Sequence, residues 1–160
     1  MSERVIAVTN PQIHGHVIWS LPCARALAER HGCLVDLWIS FRARAVYDLL
    51  KVQKFVRRVV VDLDYPADYR QSGPAAISAA EHGDHNYEKV YHPTMAAIPH
   101  GRHMAESYCL HESVPVCPHL LDLPEDYQGE TLPQGDFICL AGRGHGQQMC
   151  IPTFRSMVKS

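Results

Sequence analysis

A histidine at the start of a predicted helix is the residue of this sequence best placed for acid–base chemistry. Residues 5–9 form an apolar run typical of a buried strand, a loop over residues 10–15 follows, and His16 opens a helix. Ligands of open α/β sheets bind where strands end and helices begin, so His14 and Gly15 are candidate substrate-binding residues. A neutral imidazole at His16 takes a proton from a hydroxyl, and the helix amino end disfavours the protonated form. The alternative is that both histidines make only local hydrogen bonds.

A glycine-rich loop near the carboxyl end is a second candidate site. Gly142, Arg143 and Gly144 follow an apolar run over residues 137–141 that predicts a strand. Backbone amides of such a loop can cradle a phosphate, and an arginine can pair with it. The alternative interpretation is a plain glycine-rich turn.

Histidines are concentrated in the second half of the chain, where eight of the eleven follow residue 80. A metal site needs three or four converging ligands, and the spacing here fixes no third one. We therefore expect loop histidines and no metal site, with a metal site as the alternative. His92 and His103, at a predicted strand end and a predicted helix start, are expected to line a substrate pocket.

Composition and missing motifs argue against several classes of protein. The sequence has no GxSxG, no P-loop and no GxGxxG dinucleotide fingerprint, which disfavours a nicotinamide-dependent dehydrogenase. The formal charge of −2, from 15 basic and 17 acidic residues, argues against a nucleic-acid partner. The six cysteines contain no CxxC and predict reduced thiols. With no apolar run near ~20 residues and no visible signal peptide, we expect a cytoplasmic protein, either free or peripheral at the inner membrane face.

Strands and helices alternate along the chain. Strands are predicted at residues 5–9, 34–39, 55–61, 87–91 and 137–141. Helices are predicted at residues 16–30, 43–51, 75–81, 103–112 and 152–159. The helix over 103–112 is predicted to have Met104, Tyr108 and His111 on one face, with Tyr108 as a core or half-buried residue. This alternation predicts an α/β fold, a Rossmann-like and mostly parallel sheet with helices on both faces.

Local signals refine some of these elements. The first helix begins either near Ser20, with Pro22 in its first turn, or at His16 with a bend at Pro22, and it ends at His31-Gly32. Ser40 is expected to cap the second helix. Residues 62–74 are predicted as a loop, and residues 113–136, with four prolines, as a connection.

The most specific pattern covers residues 5–40, VIAVTNPQIHGHVIWSLPCARALAERHGCLVDLWIS. It resembles the amino-terminal, acceptor domain of glycosyltransferases with the two-domain GT-B architecture, in which a strand and a proline-containing loop precede Gly-His. It is also similar to lipopolysaccharide heptosyltransferases (family 9), which have Gly-Asp in place of Gly15-His16 and Leu-Pro where this chain has Leu21-Pro22. The segments FVRRVVV, YEKVYHPTM and DFICLAGRGHG resemble later strands of the same family more weakly.

The resemblance implies a role for each candidate residue. His16 would be the catalytic base that deprotonates an acceptor hydroxyl, which then attacks the anomeric carbon of a nucleotide sugar without metal or cofactor. A carboxylate, with Asp62 or Asp64 as a source, would orient its other ring nitrogen. Gly142, Arg143 and Gly144 would face the donor diphosphate. Residues 1–136 would form the acceptor domain, and residues 137–160 the start of a donor domain that is truncated or absent.

The expected partners follow from the same resemblance. They are a nucleotide sugar, an acceptor that is a small molecule or a glycan, and either a chain that carries the donor domain or a second copy of this one. Without a donor domain, the isolated chain is expected to be inactive. Two other functions stay open at this point: a non-catalytic or split-enzyme partner module with the same fold, and a histidine-rich metal-binding protein.

Overall fold

The computed structural model describes residues 4–66, 72–83, 86–94, 103–116 and 121–122. The strands in this part of the chain are β1 (Val5–Asn10), β2 (Leu34–Ser40), β3 (Val56–Leu63) and β4 (Lys89–Tyr91). The helices are α1 (His14–His31), a 3-10 helix (Phe41–Val46), α2 (Tyr47–Lys51), α3 (Ser72–Glu81) and α4 (Met104–His111). The strands form one parallel sheet in the order β3-β2-β1-β4, which confirms the predicted Rossmann-like α/β fold.

Helices cover both faces of this sheet. Ile6 and Val8 of β1 belong to an apolar cluster that includes buried residues of α1 and α4. Ala7 belongs to a second cluster, with Trp38 of β2 and Ala76 of α3. Because side chains alternate between the faces of a strand, each β1 residue contributes to only one of the two layers.

Helix α1 begins earlier than either of its predicted starts. It runs from His14 to His31 with Pro22 inside it. Pro22 cannot donate the backbone hydrogen bond that would reach the carbonyl four residues before it, yet the helix continues through this buried residue. The predicted end is confirmed, because Gly32 adopts a left-handed conformation (φ 59°) and donates to the carbonyls of Ala28 and Glu29.

The segment after β2 differs from the predicted helix over residues 43–51. Ser40 does not cap it, because its hydroxyl donates to the carbonyl of Gln12 at 3.1 Å. A 3-10 helix over Phe41–Val46 comes first, and α2 is confined to Tyr47–Lys51. The Ser40 hydroxyl instead ties the end of β2 to the loop that follows β1.

Helices α3 and α4 also correct the predictions. Helix α3 begins at Ser72, inside the predicted loop, three residues before the predicted start. In α4 the buried face contains Ala105, Tyr108 and Cys109, whereas the predicted face of Met104, Tyr108 and His111 leaves His111 exposed.

The connection after α4 returns to the domain at residue 122. The side-chain amide of Gln53 donates to the Asp122 carbonyl at 3.0 Å and accepts from the Asp122 N–H at 2.9 Å. Arg25 of α1 donates to the Asp122 carboxylate at 2.9 Å. All described residues belong to the first of two compact units, Met1–Asp126, and the predicted domain boundary at 136/137 lies outside them.

Candidate functional site at the carboxyl edge of the sheet

The predicted site residues that the structure describes follow the carboxyl ends of two neighbouring strands, β1 and β4. Because all four strands are parallel, their last residues, Asn10, Ser40, Leu63 and Tyr91, lie at one edge, here called the carboxyl edge. The loop and helix after β1 carry His14, Gly15 and His16; His92 follows β4, and His103 precedes α4. The other three candidates, Gly142, Arg143 and Gly144, lie outside the described residues.

His16 lies half-buried in the first turn of α1. Its Nδ1 atom is 2.9 Å from the hydroxyl oxygen of Tyr108 on α4, and its ring meets Trp19 edge-on with 5.3 Å between centroids. Burial lowers the pKa of His16 below 6.5, so the imidazole is neutral at pH 7. The group at Nδ1 is therefore a tyrosine hydroxyl and not the carboxylate that we expected from Asp62 or Asp64, both of which are exposed.

Tyr108 is the residue that sequence reasoning missed, since the sequence predicted only a core position. It is indeed buried, with 3% of its surface exposed. Burial raises its pKa to about 12, against a smaller opposing effect of the Asn10 side chain, so the phenol keeps its proton. No local motif could have paired it with His16, because 92 residues separate the two.

Asn10 holds the loop and the first turns of α1 in place. Its side-chain oxygen accepts from the N–H of Gln12 at 3.1 Å. Its amide nitrogen donates to the hydroxyl of Ser20 at 3.0 Å and to the carbonyl of His16 at 3.3 Å. This buried side chain thus fixes the backbone on which His16 stands.

His92 occupies a different environment at the same edge. Its Nδ1 atom is 2.7 Å from the hydroxyl oxygen of Thr9, and that hydroxyl donates to the Tyr91 carbonyl at 3.2 Å. Because the Thr9 hydroxyl directs its proton to the Tyr91 carbonyl, its oxygen accepts a hydrogen bond from Nδ1–H of His92. Burial, with a smaller effect of the His111 charge, lowers the pKa of His92 to about 4. Its ring packs against Gly73 of α3, where an added Cβ would come within 3.1 Å.

His103 and His14 are more exposed than His16. His103 caps α4, because its Nδ1 atom accepts from the N–H of Ala105 at 3.2 Å. Its ring meets Trp19 edge-on with 6.5 Å between centroids, so Trp19 contacts both His16 and His103. Where α1 meets α4, the structure thus brings together four side chains: His16, Trp19, His103 and Tyr108. His92 stands apart from them and is hydrogen-bonded to Thr9 of β1.

Among the residues that the structure describes, no group of three or more His, Cys, Asp or Glu side chains is arranged to hold a metal ion. None of the described helices is both long enough and apolar enough to cross a membrane.

The fold and this edge define a parallel α/β domain with histidine, tyrosine and asparagine side chains gathered where its strands end. Comparison of the chain with models of known protein families, with curated proteins and with solved structures found no match.

Proposed function

We propose that this chain is the acceptor-binding half of a glycosyltransferase of the GT-B type, in which His16 is the base for the acceptor hydroxyl. The observation that carries the proposal is the position of His16. It is half-buried at the amino end of α1, beside the end of the central strand β1, with Tyr108 on its Nδ1 atom. Proton exchange with a ligand would therefore use Nε2.

Three properties of the edge support this chemistry. The lowered pKa of His16 keeps the imidazole neutral and able to accept a proton near pH 7. The side chain of Asn10 fixes the backbone of the loop and of the first turn of α1. A Cβ built on Gly15 would meet no atom within 4 Å, so a ligand has room beside the backbone there.

The proposed reaction is an attack of the acceptor on a nucleotide sugar. The acceptor hydroxyl gives its proton to Nε2 of His16 while its oxygen forms a bond to the anomeric carbon of the donor sugar. The bond from that carbon to the diphosphate breaks, and the diphosphate leaves with the electron pair. His16 then releases the proton to water. A donor domain would neutralise the leaving group, the role that the resemblance gives to Gly142, Arg143 and Gly144.

Binding of candidate acceptors to the isolated chain tests the proposal. The ¹⁵N-labelled chain is titrated with a panel of hexoses, heptoses and short oligosaccharides up to ~10 mM. At this concentration, binding with a free energy of about −3 kcal/mol or stronger is detected. We expect at least one sugar to shift the resonances of Asn10, Gly15 and His16. His16→Ala should weaken that sugar's binding, whereas His82→Ala should not, because His82 is an exposed histidine beyond the end of α3.

Two outcomes contradict the proposal. One is the absence of any sugar-dependent shift across the panel. The other is a set of shifts confined to residues away from the carboxyl edge, with His16→Ala and His82→Ala binding equally well. Either result would favour the alternative of a partner module with the same fold.

A further inference from the structure

We propose that Tyr108 is a positioning residue for His16: its hydroxyl oxygen accepts a hydrogen bond from Nδ1–H and so selects the tautomer whose Nε2 lone pair can take a proton. This inference deepens the proposed function and rests on it in one respect, the need for a free lone pair on Nε2. The pairing of the two residues is a feature of the structure.

The geometry limits which nitrogen can face a ligand. The Tyr108 hydroxyl oxygen lies 2.9 Å from Nδ1 of His16, an ordinary hydrogen-bond distance. The two ring nitrogens point in different directions, so when Nδ1 faces Tyr108, Nε2 points away from Tyr108 and is the nitrogen that can contact a ligand. Trp19, edge-on to the same ring, restricts its rotation further.

Tyr108 is well fixed for this purpose. It is almost fully buried on α4, and α4 packs along α1. Cys109, the next residue, and Cys23 of α1 are buried in the same apolar cluster. Moving the hydroxyl away from His16 would open this packing between the helices, so the ring of Tyr108 acts as a rigid support.

A tyrosine does something different from a carboxylate at this position. A carboxylate would orient the imidazole and also stabilise its protonated form by its charge. A phenol that keeps its proton orients the ring without adding a negative charge. Because the neutral imidazole of free histidine prefers the proton on Nε2, a base at Nε2 needs an acceptor for Nδ1–H. The Tyr108 oxygen accepts that hydrogen bond only while its own O–H is directed away from Nδ1. In the opposite arrangement the phenol donates to Nδ1 and the proton lies on Nε2, which is the outcome that rejects the proposal.

Ring ¹⁵N NMR of the full chain tests the proposal without any substrate. The ring nitrogens of His16 are assigned with His16→Gln, and the tautomer is measured above pH 7 in the wild type and in Tyr108→Phe. We expect Nδ1–H to predominate in the wild type. In Tyr108→Phe the ratio of Nδ1–H to Nε2–H should fall by roughly 2- to 13-fold, the factor that one ordinary hydrogen bond produces.

A second tyrosine serves as the matched control. Tyr47 of α2 is half-buried, with Lys51 over its ring at 4.8 Å, and Tyr47→Phe should leave the His16 tautomer unchanged. The proposal is overturned if the wild type carries the proton on Nε2, if Tyr108→Phe keeps the wild-type ratio, or if Tyr47→Phe changes it equally. The wild-type measurement alone decides the first point, even if Tyr108→Phe does not fold.

The sugar titration separates this inference from the proposed function. Sugar binding at the carboxyl edge together with an Nε2–H tautomer would reject the role of Tyr108 and keep acceptor binding. The expected tautomer without any sugar binding would reject the glycosyltransferase proposal and keep the pairing of Tyr108 with His16.

Discussion

Both carboxylate oxygens of Asp36 in β2 accept hydrogen bonds from Arg57 in the neighbouring strand β3, each at 2.8 Å. The strand register explains how Arg57 reaches this carboxylate. Val35 pairs with Val56, but Asp36 pairs with Arg58, so Arg57 is the extra residue of a bulge. A bulge re-aims side chains, and here two successive arginines converge on one carboxylate.

Asp36 is fully buried, so the stability of the fold depends on the hydrogen bonds that its carboxylate accepts. Arg58 donates to Asp36 at 2.8 Å, and the Tyr87 hydroxyl donates to the same oxygen at 2.8 Å. Asp36→Asn should destabilise the fold by about 2 kcal/mol, because the partly buried donors of Arg57, Arg58 and Tyr87 lose their charged acceptor. Urea unfolding measures this. Asp48→Asn is the control, since Asp48 is 93% exposed and its pair with Lys51 should be worth less than ~1 kcal/mol. Equal losses in the two variants would contradict the prediction.

The same carboxylate should contribute to acid unfolding. Burial raises the pKa of Asp36, but the hydrogen bonds from Arg57 and Tyr87 and the arginine charges outweigh it, and the net pKa is below 3.8. The stabilisation is therefore complete above the unfolded-state pKa and is lost as the pH falls through the lower folded-state value. Unfolding free energies measured between pH 5 and 2.5 should fall less steeply in Asp36→Asn than in the wild type; parallel curves would count against this assignment.

His92 should weaken the fold in mild acid. Its folded-state pKa of about 4 lies below the unfolded value of 6.5. Between these two pH values His92 is therefore protonated in the unfolded chain but neutral in the folded chain. Stability should fall by roughly 1–3 kcal/mol between pH 6.5 and 4 and then level off for this group. His92→Gln, which cannot titrate, should flatten that part of the pH profile. An unchanged slope in His92→Gln would show that His92 does not have this pKa in the folded protein.

Two glycines in first turns of helices should respond differently to alanine. An added Cβ at Gly15 meets nothing within 4 Å, so Gly15→Ala should keep or raise stability, by up to about 1 kcal/mol, while it obstructs a ligand at the carboxyl edge. At Gly73 the Cβ would lie 3.1 Å from Cδ2 of His92, so Gly73→Ala should displace that ring and raise the pKa of His92 toward 6.5. Thermal unfolding and histidine NMR measure both effects. If the two variants behave alike, packing at Gly73 is not tight.

The isolated 160-residue chain should not transfer sugar. The proposed function needs groups on a donor domain to hold the nucleotide diphosphate, so incubation with a panel of nucleotide sugars and any bound acceptor should give no product by mass spectrometry. In a complete enzyme, His16→Ala should lower turnover by ~10²–10⁴-fold, the usual contribution of a general base. Turnover by the pure chain that His16→Ala abolishes would instead show a self-sufficient site.

The sequence by itself determined the order of strands and helices and the position of the candidate base. These features follow from local signals: the apolar run of β1, and Gly32, which ends α1 in a left-handed conformation. Both signals can be recognised without knowing what packs against them. The alternation of strands and helices then requires a parallel sheet, and a parallel sheet places the residues after β1 and β4 at one edge.

Only the tertiary structure decided what those residues contact. The hydroxyl of Ser40 bonds to the loop after β1 instead of capping a helix, since that loop lies within its reach only when β1 and β2 are paired. Likewise, Tyr108 reaches His16 because α4 packs on α1, and the spacing of 92 residues between them carries no local signal of that contact. The sequence places a histidine at a helix start, but the packing of two distant helices determines which of its nitrogens is held and which is left for chemistry.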